Sequence, residues 1–229
     1  MQRTRVLSSL ILILACAATA SAQDQPPAST DAQQPAPHDK RIFGVLPNYA
    51  TVDRDEQLPP LTTKQRFRLA ELNSFDPFVY PFVGVTAGLA DARKQEPTWG
   101  GGVKGYSHHY AAAFADNTIG NMLTTAIVPT LAHQDPRYYV LGDNGTWHRA
   151  AYASSRTLIT RGEAGGRQFN ISEIGGNAAG AAVSNLYYPP DARSVAATLE
   201  RAAMQVMWDA AANELKEFWP DVRRIWHHD

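Results

Sequence analysis

Five side chains of this 229-residue chain could ligate a metal: His108, His109, His133, Asp135 and His148. Neutral imidazoles with a carboxylate are zinc ligands, and a zinc-bound water would support hydrolysis. The spacing works against such a site. His108 and His109 open one helical stretch and His133-Gln134-Asp135 lies past its other end. The ends of a 20-residue helix stand about 30 Å apart, so the two groups meet only if Pro129 turns the chain back. There is no H-E-x-x-H motif. The expectation is therefore no metal and no other cofactor, with these histidines solvated or capping. His227 and His228, next to the end of the sequence, are expected to fray.

Other chemistries have weaker carriers. Gly100, Gly102 and Gly105 match G-x-G-x-x-G by letter, but Lys94-Gln95-Glu96-Pro97 precedes them instead of a buried strand, so no nucleotide site is expected. Lys104 follows Val103 and not a glycine, which breaks a phosphate-loop pattern. No G-x-S-x-G nucleophile elbow occurs. Polar residues set in apolar helices are more informative. Arg156 and Arg161 share a helix with Tyr152, Glu173 and Asn177 lie four apart on the next, and Asp116 sits on the third. Buried charges must be paired, so an Arg–carboxylate network joining these helices is the structural expectation. The functional alternative is a pocket in which Arg156 and Arg161 recognise an acidic or polar group.

The elements that must position these residues read as helices. Thr62 with Gln65 forms a capping box opening a helix to about Leu72. Asp76-Pro77 opens a second to about Arg93. Ser107 caps a third, running to about Val128, where Pro129 bends or ends it. Thr146 caps a fourth, terminated at Gly162. Asn170 with Glu173 opens a fifth to about Tyr188, and Asp191 caps a last one, ended by Pro220 near Trp219. The stretch 41–61 is irregular, with Arg41–Leu46 a short strand or docked extended segment. Tyr138-Tyr139-Val140 ahead of Asp143-Asn144-Gly145 has the look of a hairpin and keeps a β-barrel as the rival. Composition decides against it, because His108–Leu215 holds 22 alanines in 108 residues, and alanine favours helices and is depleted in strands. The predicted fold is all-α, a compact bundle of about five to six Ala/Gly-rich helices behind an irregular N-terminal segment. Gly84 with Gly88, and Gly176 with Gly180, are four apart and would let helix backbones approach closely. The uncharged stretches around them, Pro77–Ala90 and Ile174–Pro190, are short for a membrane span, so they fit a tightly packed bundle or helices touching a membrane.

Residues 1–22 carry the parts of an export signal: Arg3 and Arg5, an apolar run from Val6 to Ala18, and Ala20-Ser21-Ala22 before a cleavage point after Ala22. Cys16, the one cysteine, goes with the discarded peptide, or becomes a lipid anchor if Ile13-Leu14-Ala15-Cys16 is processed as a lipobox. Residues 23–40, rich in Pro, Gln and Ala, read as a disordered tether, leaving 41–229 as the helical domain. Without Arg3 and Arg5 the balance is 19 basic against 22 acidic residues, or −3. That charge offers no field for nucleic acid. A folded part with no disulfide suits a bacterial envelope better than a eukaryotic secreted domain.

Five strings carry a resemblance: Arg41-Ile42-Phe43-Gly44-Val45-Leu46-Pro47-Asn48-Tyr49, His133-Gln134-Asp135-Pro136-Arg137-Tyr138-Tyr139, Phe169-Asn170-Ile171-Ser172-Glu173, Ser184-Asn185-Leu186-Tyr187-Tyr188-Pro189 and Leu215-Lys216-Glu217-Phe218-Trp219-Pro220. Together, over roughly residues 41–222, the chain resembles a family of uncharacterised exported bacterial proteins. The resemblance implies export and a shared fold, and brings no activity or catalytic residue with it. The expected function is a non-enzymatic, membrane-associated envelope protein whose partner is a membrane surface or another envelope protein. The alternatives are a small metal-dependent envelope hydrolase using His108, His109, His133 or Asp135, and a soluble ligand-binding module around Arg156, Arg161 and Glu173.

Overall fold

In a computed structural model, the described residues are 41–226 except 55, 57, 143 and 144. The signal, Ala22, Cys16, the tether and His227–His228 lie outside them. Helices dominate, and the fold is all-α. The short strands serve as clips between helices. β1 (Arg41–Ile42) and β2 (Leu46–Pro47) form an antiparallel hairpin. Its turn places Phe43 and Gly44 at positive φ, and the Phe43 ring packs on Trp219 at 4.8 Å. Arg41 pairs with Asp76 at 2.7 Å, tying this hairpin to the second helix.

α1 (Thr63–Ser74) starts at the predicted capping box: Gln65 N donates to Thr62 Oγ1, and Thr62 N donates to Gln65 Oε1 at 2.8 Å. α2 (Val79–Ala92) follows Asp76, whose carboxylate accepts from Phe78 N. α3 (Gly102–Asn121) begins five residues ahead of the predicted Ser107, which instead lies within the helix and donates to Val103 O. Pro129 does not end it. A π-helical segment (Met122–Ile127) runs on into α4 (Val128–Ala132), and the wider turns ahead of Pro129 remove the demand for its missing N–H. His133, in left-handed conformation, stops the helix.

Tyr138-Tyr139, where the rival β-barrel reading had a hairpin, instead makes a parallel pair, β3 (Thr51–Val52) with β5 (Tyr138–Tyr139). α5 (Thr146–Ser155) is shorter than expected. The residues up to Gly162 form β6 (Ile159–Gly162), paired on one side with β4 (Gln134–Asp135) and on the other with β7 (Arg167–Phe169). Those are partners distant in sequence, invisible to a local reading. α6 (Ile171–Ser184) is capped as predicted by Asn170, which accepts from Glu173 N at 3.0 Å. The Glu173 side chain does not return to close the box, because it faces inward to Asn177.

α7 (Val195–Trp226) starts at Ser194, whose hydroxyl accepts from Ala197 N, and not at Asp191, which accepts from Thr98. It continues through Pro220. The turn missing the proline's N–H is held from outside by Arg149, which bonds Glu217 Oε1, the Glu217 carbonyl and Asp221. Among the described residues, no helix is long and apolar enough to cross a membrane.

Candidate functional site

The glycine pairs sit where helices touch. A Cβ on Gly84 would meet Tyr106 Oη of α3 at 3.2 Å, and one on Gly88 would approach the same ring. A Cβ on Gly176 would stand 3.2 Å from the backbone N and Cα of Thr124, and one on Gly180 would lie 3.9 Å from Gly120 Cα. α6 is thereby seated against the π segment.

The histidines are dispersed into different surroundings. His108 and His109 pack on Trp99 at ring distances of 5.8 and 4.8 Å. Burial lowers the pKa of His109, the state expected of a neutral packed imidazole. His133 lies near Glu163 (3.1 Å), which also pairs with Arg66. His148 is exposed in the first turn of α5. Asp135 is consumed by Arg137, with contacts of 2.6 to 3.1 Å, and by the Tyr139 hydroxyl at 2.7 Å. No group of three or more His, Cys, Asp or Glu able to hold a metal occurs among the described residues.

The arginines do not meet Glu173. With α5 ending at Ser155, Arg156 lies beyond it, over the Tyr152 ring and donating to Ile159 O. Arg161 is on β6, 4.1 Å over the Tyr139 ring. Buried Arg–carboxylate pairing exists, but other residues make it. Glu217, fully enclosed, accepts from Tyr138 Oη, Leu141 N, Gly142 N and Arg149 Nε at 2.8 to 2.9 Å. Asp116 takes the hydroxyls of Tyr187 and Tyr188 at 2.5 and 2.8 Å.

Glu173 and Asn177 belong to a second cluster, between α6 and α7, that sequence reading only half found. Asn177 Nδ2 donates to Glu173 Oε1 at 2.9 Å and to Asp209 Oδ2 at 3.4 Å. The one amide thus bridges two carboxyl groups. Burial, and then the Asp209 charge, push Glu173 up to about 9. Burial raises Asp209 as well, and lowers Lys216, the third ionisable group of the cluster. Asp209 and Lys216 were missed because a stripe of charge on a long helix ordinarily faces water.

Here the stripe faces inward. Thr198, Arg201, Gln205, Asp209 and Lys216 share one side of α7 and are half-buried. The same helix leaves Val195, Leu199, Met204, Met207, Trp208 and Leu215 exposed, with Met207 63% and Leu199 62% exposed. α2 adds Tyr80, Phe82, Val85 and Leu89 to the exposed apolar surface. The Phe82 and Trp208 rings meet edge-on at 6.0 Å, so the two surfaces are continuous. No family model, curated protein or solved structure matches the chain.

Proposed function

We propose that this is an exported bacterial envelope protein that acts by attachment and binding, not by catalysis, and that it rests on a membrane through the outward faces of α2 and α7. One observation carries the reading: along α7, Arg201, Asp209 and Lys216 are half-buried while Leu199, Met204, Met207, Trp208 and Leu215 are exposed. Water-exposed apolar surface of that extent is costly unless something covers it. An amphipathic helix with such a face lies in the boundary between headgroups and acyl chains without spanning the bilayer. Between Ala202 and Asn213 the exposed side of α7 bears no charged residue, which suits that boundary. The export reading of residues 1–22 and the family resemblance favour the same compartment.

Vesicle flotation of the full chain tests this. The protein is expected to rise with phospholipid vesicles in the absence of detergent, and Trp208→Glu combined with Phe82→Glu to leave it in the lower fractions. A wild-type protein that stays monodisperse in buffer and never floats would overturn the proposal.

A further inference from the structure

One face of the β6–β7 ribbon carries a cationic pair that the fold does not neutralise. Arg161 and Arg167 are register partners across the two antiparallel strands, as are Ile159 and Phe169. Gly162 N donates to Gly166 O and Asn170 N to Leu158 O, so Gly162 with Gly166, and Leu158 with Asn170, are hydrogen-bonded pairs. Hydrogen-bonded and non-hydrogen-bonded pairs alternate along an antiparallel ladder, which makes Arg161 and Arg167 a pair of the second kind. Cα atoms in such a pair are about 4.5 Å apart, and the two side chains leave the same face of the ribbon. Like charges set directly opposite each other destabilise a sheet.

Both arginines are exposed, and among the described residues neither guanidinium meets a carboxylate or a hydrogen-bond acceptor. The acids of this sheet are engaged elsewhere. Asp135 is the register partner of Arg161 on β4, but Arg137 and the Tyr139 hydroxyl hold its two oxygens. Glu163, in the turn after β6, is held by Arg66 and His133. Arg161 is kept in place by the Tyr139 ring, 4.1 Å from its guanidinium. A third cation stands alongside: Arg156 lies over the Tyr152 ring and donates to Ile159 O, on the strand that carries Arg161. Tyr152 Oη donates to Tyr139 O at 2.8 Å, which joins the two aromatic supports. Ile159 and Phe169, the next partners on the face of Arg161 and Arg167, are 42% and 56% exposed. Positive charge thus adjoins apolar surface.

We propose that Arg161 and Arg167, with Arg156 beside them, form a binding site for a phosphate monoester. A carboxylate has two oxygens, which one guanidinium fork satisfies. A phosphate monoester offers three free oxygens and up to two negative charges, enough to engage two forks and to cancel the repulsion between them. Ile159 and Phe169 receive the organic part of the ester. The same chemistry exists in soluble esters such as glycerol phosphate and in the headgroup of phosphatidic acid. The site lies on other elements than the α2 and α7 faces and does not rest on membrane attachment.

Two measurements on the full chain test it: calorimetric titration with sn-glycerol 3-phosphate, and flotation with phosphatidylcholine vesicles containing phosphatidic acid. At least one of the two forms should bind, and acetate at the same ionic strength should not. Arg161→Gln and Arg167→Gln are each expected to weaken binding about tenfold or more, the loss of one charged hydrogen-bonding partner. Both side chains are exposed, so the variants should fold, which circular dichroism checks. Without ligand, Arg167→Gln should melt about 1–3 °C higher than the wild type, because the like-charge pair is gone. Capture by phosphatidic acid that the double variant loses would assign the lipid headgroup. Equal capture of wild type and double variant, with glycerol phosphate bound by the wild type alone, would assign the soluble ester. Binding of neither form, equal binding of acetate, undiminished binding by both variants, or a lower melting temperature of Arg167→Gln would overturn the proposal. Flotation with phosphatidylcholine alone, through α2 and α7, should be the same for wild type and double variant, so the two proposals fail separately.

Discussion

Glu217 and Glu173 are both interior acids with different surroundings. Four donors, one of them a guanidinium, converge on Glu217. Glu173 meets burial, a second carboxyl and one amide donor, which favours the acid. The folded protein therefore holds a proton on Glu173 that the unfolded chain releases near its ordinary value of 4.5. Since the folded pKa is the higher one, its contribution is complete below the unfolded value and is lost as pH rises towards about 9. Glu173→Gln imitates the protonated acid at every pH. The stability of the variant relative to wild type should thus rise steadily from pH 5 to pH 9, with a slope no steeper than about 1.4 kcal/mol per pH unit. Urea unfolding at several pH values measures it. A flat difference would mean that Glu173 is ionised in the fold.

At the scale of elements, what could be read locally was legible. The Thr62–Gln65 box and the Asn170 cap act within four residues, and both stand where the sequence put them. The glycine spacing pointed to helices that do touch their neighbours. What escaped depends on distant partners. β6 exists because β4 and β7 flank it, and Pro220 lies within a helix because Arg149, far away in sequence, braces that turn. His133 looked like a ligand by type, but its neighbour in space is Glu163, 30 residues on. Lys216 and Asp209 were hidden by the rule that charge faces water. The α6 approach to the π segment gives a sharp test. At Gly176 a Cβ meets Thr124 backbone, which cannot rotate away; at Gly175 it meets only the Ile171 Cγ2 at 3.6 Å. Gly176→Ala should cost about 1–3 kcal/mol. Its neighbour Gly175→Ala should be neutral or stabilising by up to about 1 kcal/mol, the helix preference of alanine over glycine. Denaturant midpoints of the two variants compare them directly, and equal effects would mean that α6 does not sit this close.

For the whole molecule, the distribution of side chains sets where stability comes from. Much of the interior is polar or small: Arg66, Gln134, Asp135, Arg149, Asn177, Ser184 and Glu217 are all buried, alongside Ala70, Ala126, Ala153 and Ala181. Large apolar residues such as Val85, Leu89 and Met207 remain outside. Burial that has not occurred cannot be lost, so these outer residues contribute little to folding in water and much to what the surface adheres to. The triple variant Val85→Lys, Leu89→Lys, Met207→Lys should accordingly keep its melting temperature. Surface substitutions fall within about 0.5 kcal/mol each, a shift of about 1–2 °C per site for a domain of this size. The same variant should stay monodisperse in detergent-free buffer at concentrations where the wild type associates, because three charges now interrupt the apolar face. Differential scanning calorimetry and sedimentation velocity read the two halves of this expectation. A loss of more than about 10 °C would place these side chains in the folding core of the monomer. Unchanged association would mean that another surface of the molecule drives it.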